Sequence, residues 1–184
     1  HNLKPEISAL EAVRMKFATS PVDNGAGINL HYFLDEPVDY VPEIKFRARG
    51  SGVKDDFWDL KSIYFGLKSE SYSPNALAAY ALVFRYCLSV NKLLEVPTAY
   101  GIGEIWGNDF LISVSESTVQ RGACMVAGFK SKPCQDEMNE LVSLSFMHEL
   151  GHTLGLDHGG TDDINDKPNY LSVMNYMFAI PGTL

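Results

Sequence analysis

Long hydrophobic runs are missing from this sequence of 184 residues, although 46% of them are hydrophobic. No apolar segment approaches the ~20 residues that span a bilayer, and the amino-terminal end lacks the basic and then apolar pattern of a signal peptide. We therefore expect no membrane association and no signal peptide in this form of the chain. Internal repeats are also missing, and residues 1–184 suit one globular domain that is long enough to bury a core.

Positive charge is scarce as well. The chain has 15 Lys and Arg residues against 23 Asp and Glu residues, which gives a formal net charge of −8 at pH 7. Nucleic-acid binding needs concentrated positive surface, so this balance argues against a nucleic-acid partner. The short basic stretch KFRAR, residues 45–49, is interpreted as the solvent-facing side of a strand. An acidic surface favours solubility and hard cations.

Only three cysteines are present. Cys124 and Cys134 lie ten residues apart around a turn and are the better candidates for a disulfide. Cys87 lies in an apolar run and is interpreted as a small buried side chain. Three reduced thiols are the alternative at this point. Because disulfides form in oxidising compartments, we expect a secreted or extracellular protein.

The pattern of apolar residues predicts two helices, at residues 8–19 and 136–154, of which the second is dominant. Between them, alternating apolar and polar residues predict strands at residues 28–32, at 43–49, at 81–90 and, once or twice, within 101–115. Residues 81–90 also fit a helix, but their β-branched and aromatic content favours a strand. Loops are expected at residues 50–56 and 69–75. Strands followed by one long helix and an irregular tail predict the α+β class.

Histidine is also scarce, with five residues in the chain, but its distribution is informative. Three of the five histidines lie within FMHELGHTLGLDHGG, residues 146–160. His148 and His152 are four residues apart, so on a helix they project from one face and can reach one metal ion. Gly155 can take the left-handed conformation that ends a helix. His158 then returns as a third nitrogen ligand and leaves the fourth tetrahedral position open.

An open coordination position is typical of a catalytic zinc ion. Zinc lowers the pKa of its water to ~7, so that hydroxide is available at neutral pH. Glu149 lies next to the first histidine and is expected to act as the general base without being a ligand. We therefore predict one catalytic Zn²⁺ with the chemistry needed for peptide hydrolysis.

The string HELGHTLGLDH, residues 148–158, is similar to the long consensus HExxHxxGxxH of the metzincin clan of zinc metallopeptidases. Downstream, SVMNY at residues 172–176 resembles the Met-turn of that clan, in which Met174 would form a hydrophobic floor beneath the histidines. The tyrosine two places later resembles that of astacins and serralysins. By this resemblance Tyr176 is a movable zinc ligand and a stabiliser of the oxyanion.

The residue after His158 is Gly159. In astacins, adamalysins, matrixins and serralysins this position holds a Glu, Asp, Ser or Pro that distinguishes the families, so the sequence departs from all four. The wider string instead resembles microbial metzincin-like peptidases. The resemblance implies an upper subdomain, to about residue 155, with a twisted mixed sheet and the active-site helix. A short irregular lower subdomain, residues 156–184, would complete a cleft. Only eight residues follow Tyr176, where the clan usually continues into a further helix.

The resemblance also implies a substrate. An extended polypeptide would bind along a strand within GIGEIWGNDF, residues 101–110, through main-chain hydrogen bonds. The glycines there would let a peptide approach closely, or they simply occupy turns. We expect a monomeric zinc endopeptidase with a polypeptide as its partner.

Several alternatives stay open in the sequence. No Glu follows Glu149, which excludes a downstream glutamate as third ligand. An aspartate in that role is an alternative (Asp157, Asp162, Asp163 or Asp166). The same loop could hold Ca²⁺ through Asp162, Asp163, Asn165 and Asp166, or it is simply a solvated acidic loop. His31 is expected to be a surface or packed histidine. At the level of function, the alternatives are a non-catalytic zinc-containing binding module and a latent form that is activated by removal of an upstream segment.

Overall fold

A computed structural model of the chain describes residues 3–22, 25, 27–46, 56–66, 74–115, 119 and 122–179. The helices are α1 (Ile7–Ala18), α2 (Asp56–Tyr64), α3 (Pro74–Val83), α4 (Gly122–Ala127) and α5 (Lys132–Thr153). The strands are β1 (Tyr86–Ser89), β2 (Gly101–Gly103) and β3 (Asp109–Ile112). The α+β prediction is confirmed, and α1 and α5 confirm the two predicted helices.

The three strands form one small mixed sheet in the order β1-β3-β2. β1 runs parallel to β3, whereas β2 runs antiparallel to it, with Ile102 opposite Leu111. The antiparallel pair contains the strands that the sequence predicts around Gly107. All four residues of the central strand β3 are buried. A mixed sheet is thus confirmed, in a three-stranded form.

Two apolar clusters cover the two faces of this sheet. Leu111 and Ile112 are neighbours on β3, so their side chains point to opposite faces. Ile112 packs with residues of α1, α4 and α5, and Leu111 packs with residues of α2 and β1. A buried ion pair between Lys61 and Asp109 also ties α2 to β3. The sheet therefore forms a firm support for α5, which contacts both β2 and β3.

A disulfide joins Cys124 on α4 to Cys134 in the first turn of α5, with the two Cα atoms 4.4 Å apart. The predicted pairing is confirmed. Cys87 is a free thiol on β1 that is half-buried rather than fully buried, and desolvation raises its pKa. The N-cap of α5 lies beside the bridge, because the Ser131 hydroxyl accepts a hydrogen bond from the Cys134 amide at 3.3 Å. The beginning of the long helix is therefore held by both a cap and a crosslink.

We expect the variant Cys134→Ser to melt at a temperature about 5–15 °C below that of the unchanged protein, since a crosslink over a short loop contributes roughly 2–4 kcal/mol. Thermal unfolding followed by circular dichroism measures this difference. The control variant Cys87→Ser keeps the disulfide and is expected to melt within about 2 °C of the parent. Equal melting temperatures for Cys134→Ser and the parent would contradict the structural role of the bridge.

The strand predicted at residues 28–32 does not form. Residues 28–41 contain no helix or strand. The Tyr32 hydroxyl donates to a Glu11 carboxylate oxygen at 2.6 Å, and the Ile28 amide donates to the Phe17 carbonyl at 2.8 Å, so α1 holds this segment. An apolar cavity lined by Leu30, Tyr86 and others separates it from β1. Alternation predicts which side chains face inward, but a strand also needs a hydrogen-bonded neighbour.

The other strand predictions are corrected in part. The segment at residues 43–49 contributes one isolated bridge, Ile44 to Leu93, and residues 47–49 lie outside the described part of the chain. Residues 81–90 combine both patterns, because α3 ends at Val83 and β1 begins at Tyr86. Of the predicted loops, residues 50–55 and 69–73 are not among those described, while Asp56 begins α2 and Asn75 lies in α3.

Within the described ranges, no helix combines the length and the apolar character that crossing a membrane requires.

Candidate metal centre

The three predicted histidine ligands meet at the carboxyl end of α5. His148 and His152 lie one turn apart on this helix, and their ring centroids are 4.8 Å apart. The ring centroid of His158 lies 5.4 Å from that of His148 and 5.0 Å from that of His152. Nitrogen atoms of all three rings lie within 4.8 Å of one another. The predicted convergence of these imidazoles is confirmed, and the cluster could hold a metal ion.

Gly155 makes this convergence achievable. Its φ angle is +87°, in the left-handed region that residues with a Cβ atom disfavour. The Gly155 amide donates to the His152 carbonyl at 2.9 Å, and the Leu156 amide donates to the Gly151 carbonyl at 3.0 Å. These two bonds form a Schellman motif, which ends the helix and reverses the chain. A tight turn with hydrogen bonds between Asp157 and Gly160 then presents His158.

Each imidazole is oriented through its Nδ1 atom. The Val173 carbonyl accepts a hydrogen bond from Nδ1 of His148 at 2.7 Å, and the Leu156 carbonyl accepts one from Nδ1 of His152 at 2.8 Å. A carboxylate oxygen of Asp163 accepts from His158 at 2.8 Å. These partners are oxygen acceptors, so in the neutral form of each ring the proton lies on Nδ1 and a lone pair is left on Nε2. Such outer partners also fix ligand orientation in metal sites.

The spacing of the Nε2 atoms agrees with a shared cation. The Nε2 atoms of His148 and His152 are 3.2 Å apart, and neither carries a proton in this tautomer. Two lone pairs at that distance repel unless a cation lies between them. Nitrogen ligands at about 2.0–2.1 Å from one tetrahedral zinc ion are separated by roughly 3.3 Å. The donor set therefore fits zinc.

Burial keeps two of the three histidines, His148 and His152, neutral. His148 and His152 are only 8% and 7% exposed. Desolvation lowers the pKa of His148 to about 4, against the opposing hydrogen bond to Val173. It also lowers the pKa of His152. Protons consequently do not compete with a metal for these two nitrogens near neutral pH.

Glu149 is buried beside this cluster, with 6% of its surface exposed. Its Oε2 atom has no hydrogen-bond partner within the described part of the chain. Desolvation raises the pKa of the carboxyl to about 8. A carboxylate oxygen that is buried without a partner is unfavourable for folding, and such groups are often retained for chemistry.

The glycines of β2 leave the room that Glu149 occupies. A Cβ atom on Gly101 would lie 2.6 Å from Cγ of Glu149, and one on Gly103 would lie 3.3 Å from both Oε2 of Glu149 and Cβ of His152. The carboxylate therefore lies between β2 and the metal-binding face of α5. The sequence analysis assigned these glycines either to close approach of a peptide or to turns. It missed their direct contact with Glu149.

Tyr176 lies against the histidines. Its ring stacks on His148 with centroids 5.5 Å apart and lies 4.4 Å from the ring of His158. The side chain is 52% exposed, so its hydroxyl group can reach solvent or a ligand. Partial desolvation raises the pKa of the phenol, and the charges of Glu149 and Asp163 act in the same direction.

Met174 lies beneath α5 and is 1% exposed. A Cβ atom on Gly151 would lie 2.3 Å from its sulfur, so the methionine packs on the helix between the two histidines. The neighbouring Asn175 is fully buried and was missed by the sequence analysis. Its amide group donates to the carbonyls of Lys167 at 2.6 Å and Tyr170 at 2.9 Å, which holds the turn. Asparagine's preference for turns was the available signal.

The acidic loop does not gather into a second cation site. Asp162 pairs with Lys167 at 2.6 Å, and Asp163 is bound to His158. The side-chain oxygen of Asn165 accepts from the Tyr176 amide at 2.9 Å. In the described ranges, the three histidines are the one group of His, Cys, Asp or Glu that could share an ion. The carboxylates predicted for a calcium site do not converge, and no aspartate (Asp157, Asp162, Asp163 or Asp166) joins the histidines as a third ligand. His31 is exposed and lies outside the cluster.

We expect Asp163→Ala to weaken zinc binding about 10–100-fold, because His158 loses the acceptor that fixes its ring. Competition with a chromogenic chelator measures the affinity. Asp166→Asn is the control, since it removes the same charge from the same loop and suits the positive φ of 57° at that position. Equal losses in both variants would assign the effect to loop charge rather than to the hydrogen bond.

Comparisons with protein-family models, with curated proteins and with solved structures find no match to this chain. The fold and the site together define a small α+β protein with a three-histidine cluster that could bind a metal ion.

Proposed function

We propose that this protein is a zinc-dependent endopeptidase of the metzincin kind, which hydrolyses peptide bonds in extended polypeptides. The observation that carries the proposal is the convergence of three histidine rings beside the buried Glu149, whose Oε2 atom has no hydrogen-bond partner in the described part of the chain. Zinc sites with three protein ligands are typical of catalysis, whereas structural sites usually have four. When bound, zinc supplies a Lewis acid that activates water and polarises a carbonyl group.

Within the described part of the chain, β2 is an edge strand that pairs only with β3, and this free edge supports a polypeptide as the substrate. The Glu104 amide donates to the Asp109 carbonyl at 3.0 Å, and the Tyr100 carbonyl accepts from the Ser113 amide at 2.8 Å. Antiparallel strands alternate the direction of their backbone groups. The amide and carbonyl groups of Gly101 and Gly103 therefore point away from β3. An extended chain can pair with them by β-strand addition, which brings a peptide bond close to Glu149.

Glu149 is the proposed proton acceptor. It takes a proton from water as the water oxygen bonds to the carbonyl carbon of the peptide. When the carbon–nitrogen bond breaks, the carboxyl group returns that proton to the leaving nitrogen. A general base is most effective when its pKa lies near the working pH, and burial has raised the pKa of Glu149 to about 8.

Tyr176 is the proposed stabiliser of the oxyanion. Its raised pKa keeps the phenol protonated, so that the hydroxyl group can donate a hydrogen bond. Its ring contacts with His148 and His158 hold it at the centre, and its partial exposure leaves room for substrate. Met174 would support the two helical histidines from below. We further propose a secreted monomer, and the disulfide supports the secretion part of this proposal.

Metal content and cleavage of an unfolded protein together test the proposal. Elemental analysis should give one zinc ion per chain. Chelation should abolish cleavage, and Zn²⁺ rather than Ca²⁺ should restore it. Stoichiometric zinc without cleavage of any unfolded protein would instead favour a non-catalytic binding module. Cleavage that survives complete removal of zinc would contradict the assigned centre.

A further inference from the structure

Trp106 has an unusual backbone conformation next to the metal centre. It lies in the hairpin between β2 and β3 with a φ angle of +59°. Among the described residues, only Asp166 shares a positive φ without being a glycine. For a bulky side chain this conformation is strained, and such strain persists where the surrounding structure imposes it, often at functional sites.

Two contacts hold Trp106 at the carboxyl end of α5. Its amide donates to the His152 carbonyl at 3.1 Å. Its indole lies over Gly155, where an added Cβ atom would come within 2.3 Å of Cζ2. His152 is the second histidine of the cluster, and Gly155 forms the turn that leads to the third. The place of the indole is therefore fixed relative to the metal centre.

The indole is nevertheless 79% exposed. A tryptophan that only covered the end of the helix would bury most of its ring, because that burial is the source of its stabilising effect. Exposed aromatic surface next to a binding site is typical of ligand contact. The fold thus holds a large apolar surface open to solvent beside the cluster.

The free edge of β2 leads toward this indole. Gly103 ends the strand, and Trp106 follows three residues later in the hairpin. A polypeptide paired with the edge at Gly101 and Gly103 continues past the end of β2 at about 3.3 Å per residue. One or two of its residues then come level with the indole.

We propose that Trp106 determines specificity by binding a large apolar side chain of the substrate within a few residues of the cleaved bond. This inference rests on the proposed endopeptidase function. It names the substrate class as extended polypeptides with an aromatic or long aliphatic residue at that position. Apolar contact accounts for the recognition, since the uncovered surface is the apolar face of an indole.

The first test uses peptides that differ only in one residue near the cleaved bond, Phe or Ser at each position in turn. The variants are Trp106→Gly, which relieves the backbone strain, and Trp106→Phe, which keeps an aromatic ring. At one position, Trp106→Gly should lower kcat/KM for the Phe peptide about tenfold and leave the Ser peptide within about twofold. Trp106→Phe should retain most of the preference, and Ile105→Ala, a change at the adjacent exposed residue, should retain all of it.

Zinc content and melting temperature of Trp106→Gly should match those of the parent. A uniform loss of kcat/KM for both peptides would assign Trp106 to the support of α5 and overturn the inference. An unchanged preference for Phe over Ser would also overturn it, while the endopeptidase proposal would stand.

The second test does not depend on cleavage. The chain has two tryptophans, so Trp58→Phe leaves Trp106 as the sole indole. Titration of this zinc-loaded variant with the Phe peptide should shift its emission to shorter wavelengths, and the Ser peptide should not. Absence of a shift would overturn the inference even if no peptide is cleaved. A shift that depends on protein concentration alone would assign the indole to self-association and overturn it as well.

Discussion

On the proposed endopeptidase function, replacement of Glu149 by glutamine is expected to lower kcat about 10²–10⁴-fold, the usual contribution of a general base, while the protein should still bind one zinc ion per chain. Glutamine has the same shape but cannot accept the proton of the attacking water. The space between β2 and α5 stays filled, since Gly101 and Gly103 leave room for a side chain of this size. Cleavage of an unfolded protein and elemental analysis of zinc measure the two halves of this expectation.

Glu140→Gln is the matched control, because Glu140 lies on the exposed side of the same helix. It should change kcat less than about twofold. Equal activity of Glu149→Gln and the parent would exclude Glu149 as the base. Joint loss of zinc and activity in Glu149→Gln would assign the residue to metal binding instead.

The pH dependence of stability provides a second measurement on the same variant. The pKa of Glu149 is raised from 4.5 to about 8, so between these values the folded state of the metal-free protein binds more protons than the unfolded state. Stability then decreases as the pH rises through this interval. Glutamine does not titrate, so metal-free Glu149→Gln should lose less stability between pH 5 and pH 8. Chemical denaturation at a series of pH values measures the difference.

On the proposed zinc site, replacement of His152 by alanine is expected to remove most of the stabilisation that zinc should confer. Zinc at about 1,000 times its dissociation constant stabilises a folded protein by roughly 4 kcal/mol. Loss of a residue that only hydrogen-bonds to a metal ligand typically weakens metal binding about 10–100-fold. Removal of one of the three proposed nitrogen ligands should weaken zinc binding by more than that. Addition of zinc should therefore raise the melting temperature of the parent clearly and that of His152→Ala much less.

His31→Ala is the control, since His31 is an exposed histidine that does not belong to the cluster. It should respond to zinc like the parent. A melting temperature of His152→Ala that still rises fully with zinc would indicate that the ion is bound elsewhere. The comparison is made between zinc-loaded and metal-free samples of each variant, so a general loss of stability does not affect it.

Local patterns predicted the parts of the fold that local physics governs. The long helix α5 follows from hydrophobic periodicity, and the hairpin of β2 and β3 follows from short apolar runs on either side of Gly107. The disulfide follows from the spacing of Cys124 and Cys134. The strand expected at residues 28–32 does not form, because a strand needs a pairing partner from a distant segment, and residues 28–32 are instead bound to α1 through Glu11 and Phe17.

The candidate site divides in the same way. The spacing of His148, His152 and His158 and the need for a glycine at residue 155 are properties of the sequence alone, because one helical turn and one left-handed residue bring the rings together. Only the tertiary structure assigned Asp163 to His158, since several aspartates in one loop are equivalent until the chain is folded.

The sequence by itself pointed to the three clustered histidines, the adjacent carboxyl group and the pair Cys124 and Cys134, since each depends on residues that are close in the chain. The tertiary structure decided the partners of the ligands and the burial of Glu149 against Gly101 and Gly103. It also decided the position of Trp106 over Gly155. These features depend on contacts between segments far apart in the chain, and the free energy of such contacts depends on packing that no local pattern encodes.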